Sequence, residues 1–145
     1  TILQEGPPEE VYSAPSQLLV ARLLGYENLF PACIEPGGVE VNRVHLRLSL
    51  PPWAQPGDTA WVGIRAEEVI VVRQDPPPPL ENILEGVLVS LHPEGLAYRG
   101  VFQGSIRLQI LLPRHVQARL NLHPGQRLQV VLKPHYLHLM PGQMD

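Results

Sequence analysis

From residue 26 onward, apolar positions come in short alternating or continuous runs punctuated by proline and glycine. VHLRLSL (44–50), TAWVGI (59–64), EGVLVSL (85–91), SIRLQIL (105–111) and RLQVVL (127–132) all have this form. Strands of that length, separated by turn residues, predict a mainly β fold. The first 25 residues differ. Pro7 and Pro8 followed by Glu9 and Glu10 suit a helix start, because a first-turn proline loses no hydrogen bond and carboxylates favour the positive end of the helix dipole. A second start follows at Ser16, which can cap QLLVARLL; Leu19, Val20 and Leu23 share a face there and Gly25 is a C-terminal stop. Two short helices are therefore expected ahead of the β region.

One stretch breaks the strand pattern. In VGIRAEEVIVV (62–72), three charges interrupt an apolar run that then resumes with β-branched residues. An internal repeat explains it. PGDTAWVGIRAEEVIV from Pro56 matches PGQRLQVVLKPHYLHL from Pro124 at an offset of 68, and VHLRLSLP ending at Pro51 matches IRLQILLP ending at Pro113 at an offset of 62. The difference of 6 places an insertion in the second copy, within RHVQARLNLH. Glu27-Asn28-Leu29-Phe30 echoes Glu81-Asn82-Ile83-Leu84. Three landmarks in the same order point to a duplication. Pro134 then stands where the first copy has Ala66, and proline suits a tight turn better than a central ladder, so Arg65-Ala66-Glu67-Glu68 reads as a turn between two strands.

The repeat divides the chain into a helical segment (1–25), a first lobe (26–75), a Pro-rich linker (76–81) and a second lobe (82–145). Four consecutive prolines favour an extended spacer of on the order of 12 Å, at about 3.1 Å per residue. The first lobe is too short to close a stable barrel alone. The copies must then share a core, by interleaving strands or by pairing with a second chain.

Composition narrows the chemistry. The 145 residues are 44% hydrophobic with a formal net charge of -3, and Lys and Arg are scattered, so no basic stripe suited to a phosphate backbone is present and nucleic acid is not an expected partner. Cys33 is the only cysteine, which leaves no internal disulfide and fits a reducing cytoplasm. Apolar runs stop well short of the roughly 20 residues that a membrane helix needs. The chain starts at Thr1, within what reads as a strand end, as a piece of a longer protein would.

Candidate sites are few. Arg65 and Lys133 occupy equivalent points of the two copies, either as solvated strand-end charges or as two groups that hold an anion or a partner carboxylate. The carboxylate pairs Glu9/Glu10 and Glu67/Glu68 fall where charge is expected at a helix start and a turn. The six histidines form no metal set: His135 and His138, three apart on an expected strand, would face opposite sides, and His92, His115 and His123 lie beside prolines or polar loop residues. Trp53 and Trp61 read as core or interface packing rather than as a stacking platform.

At residues 2–29 the chain resembles a known family. Gln4, Gly6, Pro8, Glu10, Val11, Tyr12, Pro15, Val20, Ala21, Leu24 and Gly25 match the Gln-x-Gly-x-Pro-x-Glu-Val-Tyr element and following Val-Ala-x-x-Leu-Gly helix that end the nucleotide-binding domain in ATP-binding subunits of ABC importers. VGIRAEEV is similar to the Gly-Ile-Arg-Pro-Glu signature of the regulatory domain that follows it, with Ala66 in place of the proline. Residues 82–139 resemble the transport-associated OB-type element (TOBE) related to small molybdate-binding domains. The resemblance implies small OB-like barrels built from two duplicated lobes. It further implies the regulatory and dimerisation end of a cytoplasmic ATPase, held at the inner face of the membrane by permease subunits.

ATP and Mg²⁺ would belong to the parent protein. This chain has no G-x-x-x-x-G-K-[ST] loop, so no cofactor and no catalytic residue is expected within it. In molybdate-binding relatives a Ser-Ala-Arg-Asn element and a lysine near the last strand help hold the oxyanion; Asn82 and Lys133 match, but Glu81 stands in place of the arginine. That carboxylate sets negative charge where an anion would lie. The resemblance thus implies a homodimer contacting its nucleotide-binding domain and permease, with Arg65, Glu67, Trp53 and Trp61 as interface candidates and Asn82, Lys133 and Arg65 as candidates for an oxyanion such as molybdate. The other reading is a free-standing OB-type protein that binds a small ligand or an oligonucleotide.

Overall fold

The computed structural model describes residues 25–72 and 81–142. The expected helices before Gly25, and all of the proline linker but Glu81, lie outside them. The described chain is mainly β, in two five-stranded sheets with little helix.

Strands β1 (Asn28–Glu35), β2 (Gly38–Val41), β3 (Val44–Arg47), β4 (Thr59–Ile64) and β5 (Ile70–Val72) form the first half. The second half runs β6 (Ile83–Glu94), β7 (Ala97–Gln103), β8 (Arg107–Pro113), β9 (Arg127–Val131) and β10 (His138–Pro141). Alternation drives these elements: along β8, Leu108, Ile110 and Leu112 are buried while Arg107 and Pro113 are exposed, the period of two of a strand with one face in the core.

The duplication is structural. Residues 66–68 and 134–136 each form one turn of 3-10 helix, 68 positions apart. The opening interruption is this turn: the Glu68 N–H donates to the Arg65 carbonyl at 3.0 Å, the Arg65 N–H donates to Glu68 Oε1 at 3.3 Å, and Ala66 is buried. His135 therefore belongs to a turn and not to a strand, because Pro134 starts the 3-10 helix there. The insertion in the second copy carries the α-helix α1 (Arg114–Leu120), which ends on Asn121 at φ 53°, a left-handed C-terminal cap. Pattern reading places no helix there, since seven residues with two arginines and only Val116 and Leu120 as large apolar side chains give too short a stripe.

After each 3-10 turn the chain crosses to the other half. β5 pairs with β9 through Ile70↔Val131, Val71↔Val130 and Val72↔Gln129, and β10 pairs with β4 through His138↔Gly63, Leu139↔Val62 and Met140↔Trp61. The two sets interconvert under the shift of 68, so a pseudo-two-fold relates the halves. Sheet orders are β10-β4-β1-β2-β3 and β5-β9-β6-β7-β8. Each half supplies the edge strand that completes the sheet of the other. Their inward side chains, among them Ile34, Val39, Leu46 and Val62 from one sheet and Leu88, Phe102, Ile110 and Val130 from the other, belong to one hydrophobic cluster.

Candidate functional site

The exchange of strands creates two equivalent junctions. At the first, Asn82 precedes β6 in a left-handed conformation (φ 59°) that asparagine tolerates better than most residues. Its Nδ2 donates to the carbonyls of Arg47 (2.9 Å) and Leu132 (2.8 Å), and its Oδ1 accepts the Arg47 N–H at 2.8 Å. The carboxamide thus imitates a strand neighbour along the free edge of β3. At the second junction, Asn28 is 3% exposed and treats β8 in the same way, donating to the Gln109 carbonyl at 2.9 Å and accepting the Gln109 N–H at 2.7 Å. Arg47 and Gln109 are 62 positions apart, as in the repeat. Each asparagine belongs to one half and clasps the third strand of the other.

Charge surrounds both clasps. Beside Asn82, Glu81 Oε2 lies 3.3 Å from Arg47 Nε, and Lys133 follows Leu132 at the start of its 3-10 turn, half-buried. A cleft of about 210 Å3 opens between Arg47, Ser49, Glu81 and Pro134. At the other junction Glu27 pairs with Arg99 at 2.9 Å, and Arg99 also binds Glu94 at 2.6 Å. Those hydrogen bonds, Glu94 first and Glu27 second, raise the Arg99 pKa further above its ordinary value. The hydrogen bond from Arg99 in turn lowers the Glu94 carboxyl. Arg65, at the place of Lys133, lays its guanidinium over the Tyr26 ring at 4.4 Å and sits 3.9 Å from Glu68.

The structure therefore brings Asn82 and Lys133 to one junction and sets Arg65 at the other. Glu67 is exposed on the 3-10 turn beside Arg65. Trp53 is 42% exposed and lines a small cleft with Asp58, Thr59, Pro141 and Gly142. Trp61 lies on β4 between Pro31 and Met140, and its buried indole N–H has no partner among the described residues. Sequence reasoning did not single out Asn28, Arg47 or Arg99. The echo of Glu27-Asn28 in Glu81-Asn82 is the signal that could have found Asn28; Arg47 and Arg99 carry none.

Among the described residues, no cluster of His, Cys, Asp and Glu could hold a metal ion, and no helix is long and apolar enough to cross a membrane. No protein-family model matches the chain. It is 22% identical over 141 residues to the molybdate/tungstate import ATP-binding protein WtpC of Pyrococcus horikoshii, an alignment that takes in 97% of this chain and 40% of that protein. The chain thus spans well under half the length of the curated relative it matches. A solved structure of the cytoplasmic molybdate-binding protein ModG, with molybdate bound, superposes with a TM-score of 0.67 at 16% identity, covering 80% of this chain and 96% of that one. By sequence the chain is distantly similar to a molybdate/tungstate import ATP-binding protein, and its mainly β fold is similar to that of the molybdate-binding protein ModG.

Proposed function

We propose that this chain is the regulatory and dimerisation end of the ATP-binding subunit of an ABC-type importer. The observation that carries the reading is the alignment of 97% of the chain with only 40% of an import ATP-binding protein, as one module of such a subunit would align. The sequence motif at residues 2–29 supports it, since that element closes a nucleotide-binding domain in the family it resembles. The two halves are then OB-like lobes. In this role the chain itself has no catalytic step; the parent subunit would bind ATP and Mg²⁺ in the cytoplasm, against the permease subunits at the membrane. Arg65, Glu67, Trp53 and Trp61 are the residues proposed to meet a second copy, with Trp53 the exposed aromatic among them. Light scattering at micromolar concentration tests the dimerisation role. A dimer is expected, and a strict monomer at high concentration would remove dimerisation from the proposal.

A second reading is favoured by the likeness to ModG: an oxyanion held at the Asn82 junction. Two local facts oppose it. The Asn82 carboxamide is engaged by the backbone of Arg47 and Leu132, and the Glu81 carboxylate shares the cleft with Arg47. Lys133 is then the cation left to attract an anion. We expect no saturable rise in melting temperature with molybdate, tungstate or sulfate. A ligand that binds only the folded chain stabilises it by about 2.7 kcal/mol at a hundredfold excess over Kd. A rise of several degrees that disappears in Lys133→Ala and survives in Arg65→Ala would establish the second reading.

A further inference from the structure

A larger cleft lies elsewhere, where the central hairpins of the two halves meet. Asn42 and Arg43 join β2 to β3, both at positive φ (51° and 70°). From this turn Asn42 Nδ2 donates to the Ser105 carbonyl in the turn between β7 and β8. The two turns differ in length. Val41 pairs with Val44 across residues 42–43, whereas Gln103 pairs with Arg107 across residues 104–106.

The longer turn, residues 104–106, sits tightly on its own sheet. A Cβ on Gly104 would come within 2.5 Å of the Glu85 carbonyl, and one on Gly86 within 2.4 Å of the Gln103 carbonyl, so backbone fills that space. The residue equivalent to Glu85 in the first half is Pro31, since Pro31 pairs with Trp61 as Glu85 pairs with Gln129. Beside Pro31 the space stays open, as a cleft of about 340 Å3. The duplication thus yields one closed corner and one open one.

The lining of the open corner is two-sided. Buried Val41 and Ile106 with half-buried Phe30 give an apolar base. Exposed Arg107, Gln103 and Ser105 give a polar rim. Arg107 Nη1 donates to Gln103 Oε1 at 2.8 Å, which steadies the guanidinium against a neutral amide, and among the described residues it has no carboxylate partner. Its remaining N–H groups form the planar fork that matches a carboxylate. A bare tetrahedral oxyanion gains little here, because the apolar base removes water without returning hydrogen bonds.

We propose that this cleft binds a small organic carboxylate, with its carboxylate on Arg107 and its apolar body over Phe30 and Ile106. The site is separate from the Asn82 junction and does not depend on the importer reading. The probes are benzoate and 3-methylbutanoate, titrated at millimolar concentration while melting of the chain is followed. Benzoate or 3-methylbutanoate should raise the melting temperature saturably, and benzamide, which keeps the ring but lacks the charge, should not. Arg107→Gln should abolish the rise and Arg107→Lys should weaken it, while Lys133→Ala should leave it intact. The proposal is overturned by no saturable rise with either carboxylate. It is equally overturned by a rise that survives Arg107→Gln, or by one that is lost in Lys133→Ala alone.

Discussion

Asn28 and Asn82 have the same task in opposite halves, yet their environments set different costs for losing them. Asn28 is buried, so removing its carboxamide leaves the half-buried Gln109 N–H and carbonyl without their partner. That costs about 2 kcal/mol by the usual scale for unsatisfied backbone groups. Asn82 lies nearer solvent and at φ 59°, where an alanine Cβ is itself strained by about 1 kcal/mol. Asn82→Gly relieves that strain while still losing the amide. Urea unfolding of the variants should therefore rank Asn82→Ala below Asn82→Gly in stability, with Asn28→Ala lower than the parent by about 2 kcal/mol. An Asn28→Ala midpoint equal to that of the parent would show that the clasp does not hold the halves together. At this scale the sequence was only partly readable. The family resemblance pointed at Asn82, but nothing in a linear chain shows that its amide faces the backbone of Arg47, 35 positions away. The Glu81–Arg47 pair is hidden in the same way: a carboxylate can be seen, but the cation that faces it depends on tertiary pairing.

The elements were more legible than their partners. Alternation along β8 and the Pro-Gly signals before β4 and β9 mark strands in any context, because a half-buried strand must alternate and a turn needs permissive backbone. Pro134, aligned with Ala66, likewise disclosed a turn that the apolar run alone would have concealed. α1 was missed since so short a helix owes its form to packing beneath β7 and β8 rather than to propensity. Exchange of β5 and β10 was constrained without being determined. A half too small to close its own core has to find strands elsewhere, but Val72 carries no mark showing that it will pair with Gln129 rather than with β4 of its own half. The shift of 68 requires only that both strands cross or that neither does, and the pairing in the structure is the crossed one. The open corner beside Pro31 escaped for a related reason: its lining comes from hairpins of both halves, which the linear chain does not show meeting.

For the molecule as a whole, reciprocal exchange predicts how it unfolds. If the first half opened alone, β10 would lose its partner β4, and β9 would lose the edge cover of β5, so the second half would be left with an incomplete sheet and part of its core exposed. The converse holds for the second half. Neither half has a stable state without the other, and the chain should unfold in one cooperative transition in which the calorimetric and van't Hoff enthalpies agree. Two core truncations test this from opposite sides. Ile34 is 1% exposed in the first sheet and Phe102 is fully buried in the second. Ile34→Ala is expected to cost about 2–5 kcal/mol and Phe102→Ala about 3–5 kcal/mol, on the scale of such core deletions. Each variant should move the same single heat-absorption peak to lower temperature without splitting it. Two separable peaks, one following Ile34→Ala and the other following Phe102→Ala, would mean that each half keeps a stable core of its own and that the crossing strands are only docked.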